Sequence, residues 1–194
     1  RLKKLLGGLA LALAAASGTA QAQEDVKIGF ITKFPVPFFT SMEDAAKAYP
    51  GRPCTVFKGR AVSYLEMNTL ADRLAAALVE LGVKIGDPVA IFMPNSAQFV
   101  MAFYAILKAG GVVVATNPLY SGREIEHQLN DAGVEIMLVM SNFYRTVKGV
   151  QPKTRLRRLI VTNIKEYLPG LMRILFTAAK EKKGGNRVKL TEGD

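Results

Sequence analysis

The chain has 194 residues, room for one ordinary domain or part of a larger one, and 49% of them are hydrophobic, which excludes a disordered tail. A single cysteine, Cys54, excludes an internal disulfide framework and a cysteine-rich zinc site. The net charge of +10 divides unevenly: residues 1–50 carry 6 basic and 4 acidic side chains (+2), 51–144 carry 7 and 8 (−1), and 145–194 carry 13 and 4 (+9), so the charge is a carboxyl-terminal property.

Arg1, Lys3 and Lys4 precede a twelve-residue apolar run, Leu5 to Ala16, followed by the small-residue stretch Ser17 to Ala22. That layout predicts a secretory signal peptide over 1–22, cut after Ala22. The apolar run falls short of the roughly 20 residues that span a bilayer, and a buried Ala/Leu helix is the alternative. Val26-Lys27-Ile28-Gly29-Phe30-Ile31 alternates and then stays apolar, which predicts a first strand. Pro35 and Pro37 then predict a loop, and Ser41 a cap for a short helix with Met42, Ala45, Ala46 and Tyr49 on one side. With Pro37-Phe38-Phe39 in the loop, residues 1–48 resemble the start of periplasmic sugar-binding proteins of ABC transporters, whose Pro-Phe-Phe motif stacks aromatic rings on a sugar. The resemblance implies sugar stacking by Phe38 and Phe39 and an exported product, 23–48 being its first strand and helix. Plain packing of the two rings is the other reading.

From Pro50 the punctuation changes. Ser63-x-x-Glu66 is a capping box that opens a helix with Met67, Leu70, Leu74, Leu78 and Leu81 on one stripe, stopped by Gly82. Asn95 or Ser96 caps a second helix to Lys108, closed by Gly110-Gly111. Ser121-x-x-Glu124 opens a third, through His127 to about Asp131, before Gly133. Apolar runs at Pro88 to Phe92, Val112 to Ala115, Glu135 to Met140 and Leu159 to Thr162 predict strands, and their alternation with helices predicts parallel α/β layers. There is no internal repeat.

Pro50-Gly51-Arg52-Pro53, Ser63 to Glu66, Gly82 to Ala90, Met93-Pro94-Asn95-Ser96, Lys108 to Tyr120 and Arg123 to Asp131 form a series specific in its order and spacing. Through them residues 50–194 resemble the amino-terminal part of long-chain fatty acid CoA ligases, in the adenylate-forming superfamily. The resemblance implies an α/β fold, the incomplete amino-terminal subdomain of an adenylate-forming enzyme. For the full-length family it also implies ATP, Mg²⁺ and coenzyme A, with a long-chain fatty acid activated as an acyl-adenylate and passed to coenzyme A. In that family the Ser/Thr/Gly-rich phosphate loop, the adenine and acyl pockets and the catalytic lysine come later in the chain. Gly184-Gly185-Asn186 lacks that loop's hydroxyls and lysine, and neither G-x-x-x-x-G-K nor G-x-G-x-x-G occurs, so no catalytic, cofactor-binding or metal residue carries over.

His127, the only histidine, lies beside Glu124 and Glu126, but metal or general-base work needs a second ligand or a placed nucleophile, so a helix-surface residue is expected. Cys54 lacks an activating base and is expected to behave as a small hydrophobe. Asn117-Pro118-Leu119-Tyr120, between a strand end and a capped helix, suits a ligand loop or a turn fixed by Pro118, the turn being the simpler reading. Leu168 to Ala179 places Leu168, Leu171, Met172, Leu175 and Phe176 on one helix face before Lys180, Lys182 and Lys183, which suits either an anionic membrane surface or a solvated face. Arginines without interleaved aromatics argue against nucleic acid. An export signal and an ATP-consuming enzyme point to opposite compartments, periplasm and cytoplasm, so a chimera joined near residue 50, marginally stable, is expected.

Overall fold

The structure is a computed structural model in which residues 37–179, 181 and 184–191 are described, with side chains from Ser41 onward. The signal-peptide segment, its cleavage site and the strand expected at Val26 to Ile31 lie outside the described residues. Helix α1 spans Pro37–Ala48, β1 Pro53–Phe57, β2 Arg60–Ser63, α2 Tyr64–Glu80, β3 Pro88–Phe92, α3 Ala97–Lys108 and β4 Val112–Ala115. Then come α4 Gly122–Ala132, β5 Ile136–Met140, α5 Tyr144–Val150, β6 Arg158–Thr162 and α6 Gly170–Ala179, with short 3-10 turns at Ser141–Phe143, Gln151–Lys153 and Ile164–Tyr167.

Strands β3 to β6 form one parallel sheet in the order β4-β3-β5-β6, and β1 and β2 form a separate antiparallel hairpin. The four runs are short and apolar because both faces of a parallel sheet are covered. Period-two alternation sends Val89 and Ile91 of β3, with Ile136, Leu138 and Met140 of β5, to one face, where α2 and α3 cover them through Ala75, Leu78, Ala102 and Ile106. Ala90 and Phe92 of β3, with Met137 and Val139 of β5, face the other way onto Ile125 and Leu129 of α4 and Val147 of α5. A third cluster joins Met42 of α1, Val62 of β2, Met67 of α2 and Ala97 of α3.

Three of the predicted caps act as expected, while Ser41 lies inside α1 and does not open it. Ser63 Oγ accepts from Glu66 N–H at 3.2 Å, Ser96 rather than Asn95 accepts from Phe99 N–H at 3.2 Å, and the Glu124 carboxylate accepts from Ser121 N–H at 2.8 Å. The Ser121 hydroxyl donates to the same carboxylate at 2.7 Å, and this bond together with the one from Ser121 N–H holds the Glu124 carboxyl below its usual range. Gly133 closes α4 at φ 66°.

Three expectations need correction. Residues 37–39 are not a loop: α1 begins at Pro37, because a first-turn proline has no intrahelical N–H to lose. Phe38 and Phe39 therefore stand in that first turn, their side chains outside the described ones. On α2 the buried seam is Met67, Ala71, Ala75 and Leu78, with Leu70 and Leu74 only half-buried. It faces Ala102, Ala105 and Ala109, and small residues on both sides let the two helices approach closely while the leucines flank the seam. Leu168 is buried just before the last helix, while Leu171, Met172 and Leu175 are exposed on it.

Gly110 ends α3 at φ 82°, its carbonyl accepting from Gly86 N–H at 2.8 Å. A Cβ there would stand 2.9 Å from Ile85 Cγ1 and 3.4 Å from Ile85 Cα. Gly110→Ala is expected to destabilise the fold by about 2–3 kcal/mol, the sum of left-handed strain and the clash, read as a lower urea midpoint.

Candidate functional site

In an open parallel sheet, ligands bind outside the carboxyl ends of the strands where successive connections leave toward opposite faces. Here that place is around β3. Its connection runs to α3 on one face, while β4 and β5, on either side of it, connect to α4 and α5 on the other. The loops that meet there are Met93 to Ser96, Thr116 to Ser121 and Ser141 to Phe143, with Asn163 beyond β6.

The loop after β4 is a turn satisfied from within. Asn117 Oδ1 accepts from Leu119 N–H at 3.0 Å and the Asn117 carbonyl from Tyr120 N–H at 3.0 Å, leaving Leu119 89% exposed. Of the two readings of Asn117 to Tyr120, this geometry is that of the turn. After β5, Phe143 lays its ring 4.5 Å from that of Phe92, joining the two strand ends that flank the crevice.

The carboxyl ends of β5 and β6 are occupied by the chain's own tail. Ser141 Oγ donates to Asn186 Oδ1 at 3.1 Å, Asn163 Nδ2 donates to the Asn186 carbonyl at 3.0 Å, and Glu181 pairs with Lys165. Val188 packs on the core beneath. The 184–186 stretch thus serves as a strap on the sheet end. Gln98, 4% exposed on α3, donates through Nε2 to the Asn163 carbonyl at 3.1 Å, while its Oε1 is buried without a partner. Thr116 Oγ1, at the end of β4, is buried without a partner too. These two orphan acceptors mark a polar edge incomplete in its hydrogen bonding.

His127 is an exposed residue of α4, as expected. Glu124 is engaged by Ser121, and Glu126 stands 3.7 Å from Lys153, so neither neighbour turns it into a ligand pair. Among the described residues no group of three or more His, Cys, Asp or Glu side chains could hold a metal ion. Cys54 is half-buried beside the third cluster, and burial pushes its thiol above the ordinary range. Since the thiolate is the reactive form, Cys54 is expected to react with iodoacetamide at pH 8 about fivefold or more slower in the native chain than in urea. Equal rates would show an exposed thiol.

Comparison with known proteins places this architecture. The model for the AMP-binding enzyme family matches residues 42–186. The long-chain-fatty-acid–CoA ligase of Salmonella typhimurium is 40% identical over 127 residues, 65% of this chain and 23% of that protein. The Bacillus subtilis protein of the same name is 33% identical over 142 residues, 73% of this chain and 25% of that protein. The chain therefore spans about a quarter of the length of these relatives. The crystal structure of a long-chain-fatty-acid–CoA ligase from Archaeoglobus fulgidus superposes with a TM-score of 0.62 at 27% identity, over 73% of this chain and 31% of that one. Since the match starts inside α1, runs through the whole parallel sheet and ends in the strap over its carboxyl edge, the chain belongs to the AMP-binding enzyme family.

Proposed function

We propose that residues 42–186 form the amino-terminal scaffold of a long-chain fatty acid CoA ligase and have no catalytic capacity alone. The observation that carries this reading is the 40% identity over 127 residues to a ligase of that name, beside a family match over 42–186 that contains the doubly covered sheet. In the whole enzyme the reaction would join a fatty acid carboxylate to the α-phosphate of ATP, release pyrophosphate, and pass the acyl group to coenzyme A with release of AMP. Such chemistry requires cations against developing phosphate charge and backbone N–H groups around it, which other segments would supply. This segment would supply the switch-point edge around β3, with Thr116 Oγ1 and Gln98 Oε1 available to neighbouring polypeptide or water.

The reading places the activity where ATP and coenzyme A are found, on the cytoplasmic side. On this reading any junction with a foreign leader would lie upstream of Met42, which the packing of α1 within the same unit supports.

A segment exchange tests it. Residues 42–186 replace the matching segment of the Salmonella typhimurium ligase, and fatty-acid-dependent ATP–pyrophosphate exchange is measured on the purified hybrid beside the 194-residue chain. Exchange by the hybrid, with none by the chain alone, is expected. A folded hybrid without exchange would overturn the reading.

A further inference from the structure

Strand β4 is an edge of the parallel sheet. Val112 N–H donates to the Asp87 carbonyl at 2.8 Å and Thr116 N–H to the Ile91 carbonyl at 2.9 Å, so the even positions of the strand bond β3. By the pleat, the N–H and carbonyl groups of Val113 and Ala115 point the other way, off the sheet. The Ala115 carbonyl accepts from Gln128 Nε2 at 3.2 Å, which covers that end and leaves both Val113 groups unpaired among the described residues. Gln128 Oε1 and Thr116 Oγ1, at the same end, are buried oxygens without a partner, so the hydrogen bonding of this border is incomplete.

An open edge is a template for another strand, and proteins guard it with proline, charge or a bulge. The other described strands with an open side are guarded: Pro53 opens β1, Arg60 opens β2 and Arg158 opens β6. Strand β4 reads Val112-Val113-Val114-Ala115, with neither proline nor charge, and its register against β3 runs without a shift. Apolar surface borders it from end to end. Ile85, at the amino end beside Gly110, is 73% exposed, Val112 is 51% exposed, and Leu119, past the carboxyl end, is 89% exposed. Phe99 and Phe103 of α3, half-buried with ring centroids 6.4 Å apart, lie on the side of the sheet that Val113 faces.

The occupant that fits is a strand with apolar groups at both of its ends, and this chain supplies one. Turned antiparallel about a two-fold axis through Val113, a second copy sets Val113 opposite Val113 and Val112 opposite Val114. The same rotation brings the Ile85 end of each copy to the Leu119 end of the other, so the contact is self-complementary and closes at two copies. Charge does not oppose it, for although the chain carries +10, residues 51–144, which contain the whole band, sum to −1. We infer that the chain forms a homodimer through β4, the two edges pairing antiparallel at Val113 so that two four-stranded sheets become one. The inference concerns the 194-residue chain itself and does not rest on the ligase reading.

Sedimentation velocity of the 194-residue chain over about 1–200 μM tests it. A concentration-dependent monomer–dimer equilibrium is expected, with nothing larger. Val112→Lys puts an ammonium on the edge, and Leu119→Lys does so at a position outside every helix and strand. Each is expected to raise the dimer dissociation constant about tenfold or more. Val113→Pro removes an N–H that the second copy uses and none that β3 uses, and is expected to do the same. Leu171→Lys, 72% exposed on α6, is the control for association through the chain's other apolar stripe and is expected to leave the constant unchanged. Circular dichroism identifies the variants that are folded. A chain monomeric throughout, growth past the dimer, a dimer indifferent to the folded edge variants, or one broken by Leu171→Lys overturns the inference.

Discussion

Phe92→Ala is expected to lower the free energy of unfolding by about 3–5 kcal/mol, a large share of the roughly 5–15 kcal/mol available to a domain. Phe92 is 1% exposed at the last position of β3. Its side chain fills the face covered by α4 and α5, and its ring meets Phe143 at 4.5 Å with the planes 31° apart. The loss combines the transfer of a buried ring with a cavity that a sheet fixed on both sides closes poorly. Ile91→Val, one residue earlier on the opposite face and 0% exposed, removes a single methylene and is expected to cost about 1 kcal/mol. Urea midpoints of the two variants check both numbers. A Phe92→Ala cost near that of Ile91→Val would show that the α4–α5 face is not packed as described. The same variant bears on the candidate site, since the Phe92–Phe143 pair holds together the two strand ends at the switch point.

The parallel sheet was legible because its strands are doubly covered: Pro88 to Phe92 and Ile136 to Met140 read as continuous apolar runs, each following a glycine that stops a helix. Ser63, Ser96, Ser121 and Gly133 declared their helix ends through local hydrogen bonds that depend on no distant residue. Elements held by tertiary context were harder to read. The β1–β2 hairpin turns at Lys58-Gly59, with φ of 51° and 87°, a conformation that Asn or Asp announces at the first position and Lys conceals; Gly59 was the available signal. Helix α5 lacks a capping side chain and contains Gly149, so its helicity rests on Tyr144, Val147 and Val150 packing against the sheet.

The α2 stripe was misread by residue size. Leucines look like core, but the distance between α2 and α3 is set by alanines, and periodicity alone does not reveal how close a partner helix comes. The candidate site was the least legible part. A switch point is a property of strand order, and β4-β3-β5-β6 can be read only once pairing is known. The orphan oxygens of Gln98 and Thr116 likewise follow from burial, with no sequence signature of their own.

A chain that starts at residue 50 is expected to be about 3–5 kcal/mol less stable than one that starts at residue 37, because α1 is part of the same packed unit. Met42 and Ala46 are 3% and 7% exposed, the methionine lying against Val62, Met67 and Ala97. Removing α1 uncovers that cluster. The electrostatics point the same way. Lys108 Nζ, on a side chain only 7% exposed, stands 3.5 Å from Glu43 of α1, donates to Asn68 Oδ1 at 2.9 Å and pairs with Asp72 of α2. A nearly buried ammonium is tolerated only among such partners, so one strong point of attachment links α1, α2 and α3. Met42→Ala in the longer chain should account for about 2–3 kcal/mol of the difference, and Glu43→Gln for less, because that carboxylate is partly in solvent. Urea unfolding of the two truncations and the two point variants separates these contributions. If the truncations unfold together, α1 is a passenger and the change of identity near Pro50 is a true border. If they differ as expected, any junction lies before Met42, and the first helix of this chain is a native part of the sheet domain that follows.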